Sequence, residues 1–303
     1  MDLVDEIRTA CAGVAQRARS VAIDEGRLAA YALTLEAAPV ANDHDLVAGD
    51  SPEQRAAFVF ALDGVNFGSG WFPTLRKRPG RSGYSTVALG MRDRFTGAGP
   101  WSADELAQME AAHVASWLGQ DPSHELMGLF AISLRELGRR VADEHAGCFL
   151  ALARSQATAV GLVERMAAWP TWADASLHDG EPVPFFKRAQ ILASDLARVG
   201  IADFPDLDRL TLFADNLVPH VLRLDGVLRF DPILVERIER EELLEHGSPE
   251  EVEIRACAVH AVELLAAERD DLSPQQLDTL LWNRGQQARY KATPRHRARC
   301  TAY

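Results

Sequence analysis

Apolar side chains recur at helical spacing along most of this chain, and this recurrence limits the fold more than any other feature. Leu3, Ile7 and Cys11 lie on one face of a first segment, because residues four apart meet on a helix surface. A stripe of similar spacing near the other end consists of Ile254, Ala258, Ala261, Val262 and Leu265. Aromatic residues make up only 7% of the chain, while alanine and leucine, which lose little side-chain entropy in a helix, are abundant. The sequence therefore predicts an all-α, multi-helix domain.

Serine caps indicate where several of these helices begin. In a capping box, a serine is followed three residues later by Gln or Glu, and a proline often occupies the first helical position. The pattern occurs as SPEQ at 51–54, as Ser102 with Glu105, as SPEE at 248–251 and as SPQQ at 273–276. Ser123 is predicted to cap a further helix, and residues 148–169 are predicted to form one long Ala- and Leu-rich helical segment.

Two regions depart from the helical pattern. Residues 66–99 are rich in glycine and hold two prolines and a basic run, which predicts a long loop with a short strand at 84–89. Residues 174–186 contain the turn signal His-Asp-Gly at 178–180, which predicts a small β-hairpin. Because the chain has no internal repeat and no low-complexity linker, we predict one domain over 1–303. Its N-terminal helical part is expected at 1–145, including the glycine-rich loop, and its C-terminal helical part at 146–303.

The charge balance narrows the classes of function. The chain carries 32 basic and 44 acidic residues, a net charge of -12. Proteins that grip a nucleic-acid backbone are normally basic, because Lys and Arg replace the phosphate counterions. The composition therefore argues against extended nucleic-acid binding, although it leaves room for a local basic pocket that holds one phosphate.

Cysteine, histidine and hydropathy patterns give further expectations. The four cysteines are widely spaced without a C-x-x-C pair, so neither a zinc ribbon nor a disulfide framework is predicted, and reduced thiols in the cytoplasm are expected. The histidines lack metal-ligand spacing, so no metal site is predicted. No apolar run approaches the roughly 20 residues of a membrane span, and the N-terminus lacks the apolar region of a signal peptide.

Charged residues in the last 120 positions are the candidates for chemistry. Lys187 and Arg188 begin a helix, where cations oppose the helix dipole, so they indicate either a functional site or a solvated first turn. Asp215 follows an apolar run and is either catalytic, a helix N-cap or part of a buried ion pair. Glu253 and Arg255 flank a core isoleucine, so one of them points to a polar pocket or both lie at the edge of the stripe.

A cationic cluster, RHRAR at 295–299, stands out in an acidic chain. Such a cluster is a candidate anion site, and the alternative is a frayed basic tail.

Taken in order, these segments resemble the queuosine salvage family, whose members are queuosine 5'-phosphate N-glycosylases. The stretches that carry the resemblance are KRAQIL at 187–192, LTLFAD at 210–215, VP at 218–219 with VL at 221–222, EVEIRA at 251–256, LW at 281–282 and HRARC at 296–300. In the N-terminal half, DGVNF at 63–67 resembles the family element Asp-x-Leu-Asn-Phe, but the aromatic-rich continuation is replaced by GSGWF. Asn216 stands where the family often has Tyr.

The resemblance implies a helical fold like that of helix-hairpin-helix DNA glycosylases and a hydrolase that releases queuine without a metal or redox cofactor. It identifies Asp215 and Lys187 as the catalytic residues. Glu253 and Asp278 become candidates for holding the base or its amine, and Phe67 and Trp282 for stacking on the ring. The remaining predicted substrate-binding residues are Asn66, Arg255 and, for the phosphate, His296, Arg297 and Arg299. The substrate is expected to be a small molecule, with no extended nucleic acid and no membrane as partner.

Two alternatives remain open from the sequence. One is a glycosylase for a damaged base in nucleic acid, against which the net charge argues. The other is a non-catalytic helical protein that binds a deazapurine base or nucleotide.

Overall fold

Helices predominate in the computed structural model, which describes residues 1–36 and 48–303. The predicted all-α class is confirmed. The helices α1 to α15 are, in chain order, Leu3–Arg17, Glu25–Ala32, Pro52–Gly64, Gly83–Ala98, Ala103–Ala107, Ala111–Leu118, Glu125–His145, Phe149–Ala153, Ala159–Ala167, Lys187–Arg198, Val218–Leu224, Pro232–Glu239, Pro249–Ala267, Pro274–Arg284 and Ala288–Lys291. Short 3-10 turns occur at Phe72–Thr74, Pro170–Trp172 and Leu207–Arg209. None of the described helices has the length and apolarity that a membrane span requires.

The predicted serine caps are confirmed at four helix starts. In each case the serine hydroxyl accepts the main-chain N–H three residues later, at Ser51, Ser102, Ser248 and Ser273. The reciprocal bond from a glutamine side chain forms in α3 and α14. The predicted cap at Ser123 is one residue early, because the His124 side chain accepts from the N–H of Leu126 and α7 begins at Glu125.

The Ala- and Leu-rich segment at 148–169 is divided into α8 and α9 and is not one helix. The Thr158 hydroxyl caps α9 by accepting the N–H of Gly161 at 3.1 Å. At the start of α8, the Glu53 carboxylate accepts the N–H of Phe149 at 2.8 Å. Periodicity alone missed this division because each start depends on a specific acceptor.

The prediction of a loop over 66–99 with a strand at 84–89 is wrong in its second half, where α4 forms. The Ser82 hydroxyl caps this helix. Gly83 begins it where a Cβ would lie 2.4 Å from the Phe72 ring, so this glycine permits close packing within the fold. Glycine here serves packing against a neighbouring segment, whereas the sequence interpretation took it as a loop signal.

Four short strands form two antiparallel pairs. Their bounds are Val21–Ile23 (β1), Ala175–His178 (β2), Glu181–Pro184 (β3) and Leu228–Phe230 (β4). The predicted hairpin is confirmed as β2 and β3, joined by Asp179 and Gly180 with φ of 50° and 84°. Positive φ at both central residues is typical of a type I′ turn. The pairing of β1 with β4 was not predicted, since its strands lie about 200 positions apart.

A small hydrophobic cluster comprises Ala298, Cys300, Ala302 and Tyr303, and the rest of the described hydrophobic core forms two large clusters. One is built largely from α3 to α10, and the other from α1, α11, α13 and α14 with the strands. Phe186 packs against both, and the chain passes from the first cluster at Phe213 to the second at Ala214. The predicted catalytic residues Lys187 and Asp215 directly follow these crossing points. The single domain over 1–303, its division at 145/146 and the likeness to DNA glycosylases stay predictions.

Candidate active site

Lys187 is the first residue of α10, and its side chain is only 4% exposed. Its ammonium donates to the main-chain oxygen of Asn66 at 2.9 Å and to the Asn66 Oδ1 at 3.1 Å. Burial lowers the pKa of Lys187, while the nearby charge of Asp215 acts in the opposite direction. Two predicted site residues from distant parts of the chain, Asn66 and Lys187, are therefore in direct contact.

Asp215 lies in the loop just before α11 and is half-buried. Its Oδ1 accepts the N–H of Leu217 at 2.7 Å and that of Val218 at 3.1 Å. Asp215 is therefore not the N-cap of α11, which is Leu217, although one of its carboxylate oxygens accepts the first two N–H groups at that helix start. Among the hydrogen bonds of the described residues, none uses Oδ2, so this oxygen remains for another partner.

Asp278 reaches the same loop from α14, where its Oδ1 accepts the N–H of Phe213 at 3.2 Å. Burial, reinforced by the charge of Asp215, raises the pKa of Asp278 well above its usual range. A neutral carboxyl offers a donor as well as an acceptor. The raised pKa of Asp278 therefore favours the form that can both donate and accept.

Asp63 is a second buried acid near Lys187, and the sequence interpretation gave it no role of its own. Its side chain is almost fully buried, and neither oxygen has a hydrogen-bond partner within the described chain. Burial and the charge of Asp195 raise the pKa of Asp63 well above the usual range, while the Lys187 charge and the neighbouring Asn66 side chain oppose this. Only the motif DGVNF at 63–67 could have pointed to it, because its neighbours come from α10.

Arg255, on α13, is fully buried and bonded entirely to protein atoms. Its two terminal nitrogens donate to the two oxygens of Asp174 at 2.9 and 2.8 Å, and its Nε donates to the oxygen of Ala214 at 3.0 Å. The guanidinium carbon lies 4.0 Å from the ring centre of Phe185 and 4.7 Å from that of Tyr303. Asp174 was missed from the sequence because no local motif links it to a partner 81 positions away.

Glu253, two residues earlier on α13, is also buried. Its Oε2 accepts the N–H groups of Arg19 at 3.0 Å and Ser20 at 2.6 Å, and its Oε1 lies 3.2 Å from the His178 Nε2. Both oxygens therefore have partners that join the segment after α1 to the hairpin. The two residues flanking Ile254 are both buried, and neither forms a solvated edge of the stripe.

The two predicted stacking residues differ in exposure. Phe67 is 2% exposed. The Phe130 ring lies edge-on to it, with ring centres 5.0 Å apart, and the Arg188 guanidinium carbon lies 4.9 Å from the Phe67 ring centre. Trp282 is half-buried and makes an edge contact with Tyr84, with ring centres 6.1 Å apart. Trp282 retains accessible ring surface, which a ligand needs for stacking.

The predicted phosphate-binding arginines at 297 and 299 have protein partners on the surface. Arg297 donates to Glu241 at 3.2 Å. Arg299 is exposed, 3.9 Å from a Glu125 oxygen, and its guanidinium lies 5.8 Å from the Trp71 ring centre. Arg297 and Arg299 therefore contact different carboxylates and do not form one continuous cationic surface.

Arg295 and His296 turn inward instead. Arg295 is partly buried, its Nε has no partner among the described residues, and the charge of Asp215 offsets the lowering of its pKa by burial. His296 is 2% exposed, and burial lowers its pKa to about 3, so it is neutral. The oxygen of His296 accepts from the Asn216 side chain at 3.1 Å. The Arg295 guanidinium thus interacts electrostatically with the Asp215 carboxylate.

The described residues contain no group of three or more side chains arranged to hold a metal ion. The predicted residues that converge around one place are Asn66, Lys187, Asp215 and Asp278. Such an arrangement suits electrostatic stabilisation of a positively charged transition state and of a departing anion.

Comparison with known proteins gives a consistent result. The family described as queuosine salvage protein matches residues 46–303. A protein of Sphaerobacter thermophilus named queuosine 5'-phosphate N-glycosylase/hydrolase is 35% identical, covering 96% of this chain and 95% of its own length. Proteins with the same name are 28% identical in Mus musculus, covering 96% of both chains, and 29% identical in Dictyostelium discoideum, covering 81% and 77%.

Proposed function

This chain belongs to the queuosine salvage protein family, and we propose that it hydrolyses the N-glycosidic bond of queuosine 5'-monophosphate to release queuine. The observation that carries the proposal is the buried Lys187 ammonium, held by Asn66 and within the field of the half-buried Asp215 carboxylate, with the buried acid Asp278 on the same loop. Cleavage of the bond between a sugar and a base is favoured by a negative group that stabilises the sugar cation and by a positive group that stabilises the departing base.

We assign Asp215 to the sugar. Glycosidic cleavage passes through an oxocarbenium-like transition state, and a fixed carboxylate stabilises its positive charge and orients the attacking water. Two main-chain N–H groups hold Oδ1, so the position of Oδ2 is set before substrate arrives. Such preorganisation avoids the free-energy cost of reorientation during the reaction.

We assign Lys187 to the departing base. A 7-deazapurine lacks N7, so protonation at that atom cannot assist departure, and negative charge on the ring must be stabilised by donors elsewhere. A lysine ammonium has three donors. Asn66 accepts two hydrogen bonds from Lys187, which leaves one donor for the base. The Asp278 carboxyl, whose pKa burial raises, is a second candidate donor in its protonated form, and Trp282 offers ring surface for stacking.

We assign the 5'-phosphate to the inward side of the cationic cluster. Arg295 combines partial burial, an unpaired Nε within the described chain and electrostatic coupling to Asp215. Arg297 and Arg299, by contrast, lie beside surface carboxylates. The binding role of His296 stays a prediction, as do those of Phe67, Glu253 and Arg255.

The proposed substrate is a mononucleotide and not a nucleic acid. A net charge of -12 disfavours a long polyanion, while one phosphate needs only a local cation. The cytoplasmic location and the absence of a cofactor also stay predictions.

The deciding experiment incubates purified protein with queuosine 5'-monophosphate and follows queuine and ribose 5-phosphate by mass spectrometry. We expect equal amounts of both products. Queuosine nucleoside and a queuosine-containing RNA oligonucleotide are tested in parallel, and queuine binding is measured by calorimetry. Binding of queuine without release would indicate a binding protein, and preferential cleavage of the oligonucleotide would indicate a nucleic-acid glycosylase.

A further inference from the structure

We propose that the buried ion pair of Asp174 and Arg255 is a positioning device that holds Lys187 and Asp215 at a fixed separation. The inference takes the roles of these two residues from the proposed function, but its geometry stands independently. The Asp174 side chain accepts the main-chain N–H of Lys187 at the start of α10. The Arg255 side chain donates to the main-chain oxygen of Ala214, the residue before Asp215.

Asp174 fixes the start of α10. The preceding residue, Phe186, has a left-handed backbone with φ of 47° and provides no side-chain cap. Asp174 supplies the missing acceptors. Its main-chain oxygen accepts the N–H groups of Phe185 at 2.9 Å and Phe186 at 3.2 Å, and its Oδ2 accepts that of Lys187 at 3.0 Å. One residue thus binds three consecutive N–H groups, ending at the proposed catalytic lysine.

The Asp174 charge also offsets the unfavourable interaction of two cations with the dipole at the start of α10. Lys187 and Arg188 place two cations at the positive end of the α10 dipole. A carboxylate at that end stabilises both the cations and the unpaired N–H groups. In keeping with this, the charge of Asp174 counteracts the lowering of the Lys187 pKa by burial.

Arg255 extends the connection to the other side of the site. Its bidentate bond to Asp174 and the bond of Nε to Ala214 fix the guanidinium in its own plane. Phe185 and Tyr303 lie against the guanidinium and restrict its tilt. The path from the Lys187 amide to the residue before Asp215 therefore runs through only two side chains.

A purely stabilising role explains this arrangement poorly. Buried ion pairs contribute little net stability, since well-packed apolar groups of similar volume often serve as well. Catalysis, in contrast, depends on placement, because a shift of about 1 Å in a reacting group costs roughly 100-fold in rate. The pair lies where such a shift would act on both proposed catalytic groups.

The test measures kcat and KM with queuosine 5'-monophosphate for Asp174→Asn and for the double variant Asp174→Asn/Arg255→Gln. The double variant removes both charges of the pair, whereas the single variant leaves Arg255 with the Glu251 carboxylate, 3.8 Å away, as its remaining buried partner. In the double variant Glu251 keeps the N–H of Gly247 at 3.0 Å and His246 at 3.5 Å as partners. We expect kcat to fall by about 10- to 100-fold in both, with KM changed by less than about 3-fold.

The matched control is Asp206→Asn. Asp206 is also a carboxylate that caps a helix from a remote loop, accepting the N–H groups of Ala159 at 2.7 Å and Val160 at 3.2 Å at the start of α9. We expect its kcat to stay within about 2-fold of wild type. Equal losses in the Asp174 and Asp206 variants, or a folded double variant with wild-type kcat, would overturn the proposal.

Hydrogen exchange without substrate separates this inference from the proposed function. Asp174→Asn and the double variant should speed amide exchange at 185–189 and at 213–218 together, whereas Asp206→Asn should speed neither. If the variants show this faster exchange but the wild-type protein does not cleave queuosine 5'-monophosphate, the proposed function is contradicted and the positioning role is supported. Unchanged exchange at 213–218 would overturn the positioning role even in an active enzyme.

Discussion

Asp215 combines two tasks that one substitution separates. In Asp215→Asn, the side-chain oxygen can still accept the N–H groups of Leu217 and Val218, because Asn caps helices about as well as Asp. The negative charge is lost, and with it the stabilisation of the sugar cation. We expect kcat to fall by about 100-fold or more, with the melting temperature nearly unchanged. Turnover assays and thermal unfolding measure the two effects. A folded variant that retains kcat within a few-fold of wild type would contradict the assignment of Asp215.

Lys187 should impose an alkaline limit on the reaction. Burial lowers its pKa from the ordinary 10.5, so deprotonation begins at a lower pH than for an exposed lysine. Only the protonated form carries the positive charge and the third N–H that stabilise the departing base, so kcat should decline as pH rises through this lowered pKa. In Lys187→Arg the cation stays protonated. The decline should then disappear, although the larger side chain reduces the overall rate. The measurement is kcat against pH from about 7 to 10 for both proteins, and an identical alkaline decline in both would exclude Lys187 as its source.

Arg295 should determine the preference for a phosphorylated substrate. The quantity to measure is the ratio of kcat/KM for queuosine 5'-monophosphate to that for the nucleoside. We expect Arg295→Gln to lower this ratio by about 10-fold or more, because hydrogen bonds between ionised groups are strong. Arg299→Ala is the comparison, since this exposed side chain lies near Glu125 and Trp71. A larger drop in Arg299→Ala than in Arg295→Gln would place the phosphate on the outer side of the cluster.

The terminal segment 295–303 packs against the loop after α3 in a way that tolerates no side chain at Gly70. The N–H groups of Gly68 and Ser69 donate to the Tyr303 oxygen at 2.9 and 3.4 Å. A Cβ at Gly70 would lie 2.3 Å from the main-chain oxygen of Ala298, so the backbone itself would have to move. We expect Gly70→Ala to lower the free energy of unfolding by about 1–3 kcal/mol. It should also lower kcat, because Tyr303 packs on Arg255.

The control for Gly70→Ala is Gly97→Ala in the last turn of α4. Apart from its own helix backbone and chain neighbours, no atom of the described residues lies within 4 Å of a Cβ at Gly97. Alanine also favours the helix, so the free energy of unfolding should rise or stay unchanged. Urea denaturation measures both variants. Equal stability of Gly70→Ala and wild type would mean that the terminal segment does not pack on this loop in solution.

Local signals predicted the elements that local interactions determine. The cap at Ser51 and the turn at Asp179 each depend on residues within a few positions, and both were predicted correctly. Helix α4 was missed because the contact that explains Gly83 is made with Phe72, outside the helix. Pairing of β1 with β4 was missed for the same reason, since three-residue strands have little pattern of their own.

In the candidate site, too, the residues in local motifs were predicted and those that act through tertiary contacts were missed. Lys187 and Asp215 were found because each sits in a recognisable motif, next to an apolar run. The groups that bind or perturb them, Asp63 and Asp174, lie 124 and 13 positions before Lys187. Their importance depends on the packing of α3 against α10 and on the bond from Arg255 of α13 to Asp174, which no single segment encodes.

Across the whole molecule, the charged groups of the site lie between two hydrophobic clusters. Phe186 and the step from Phe213 to Ala214 cross from one cluster to the other. Burial at this junction explains the shifted pKa values of Lys187 and Asp278, because charge is poorly solvated there. The same burial makes folding sensitive to pH, because Asp278 holds more protons in the folded state than in the unfolded chain, whereas buried bases such as Lys187 hold fewer.

His220 illustrates this sensitivity and gives the last prediction. It is 1% exposed, its Nε2 lies 2.9 Å from the Tyr290 oxygen, and burial lowers its pKa from 6.5 to about 4. Between these values the unfolded chain binds a proton that the folded protein excludes, so the free energy of unfolding falls as pH falls. One pH unit corresponds to about 1.4 kcal/mol per such group, so acidification from about pH 6.5 to pH 5 should cost up to roughly 2 kcal/mol at His220.

His220→Gln retains a donor for the Tyr290 oxygen but does not titrate, so it should lose less stability on acidification than wild type. His296, whose pKa burial lowers to about 3, contributes with the same sign and should leave a residual slope in this variant. Urea unfolding of both proteins at about pH 7.5 and about pH 5 gives the two differences to compare. If His220→Gln and wild type lose equal stability over this interval, His220 takes up its proton as readily in the folded protein as in the unfolded chain, and the acid sensitivity has another source.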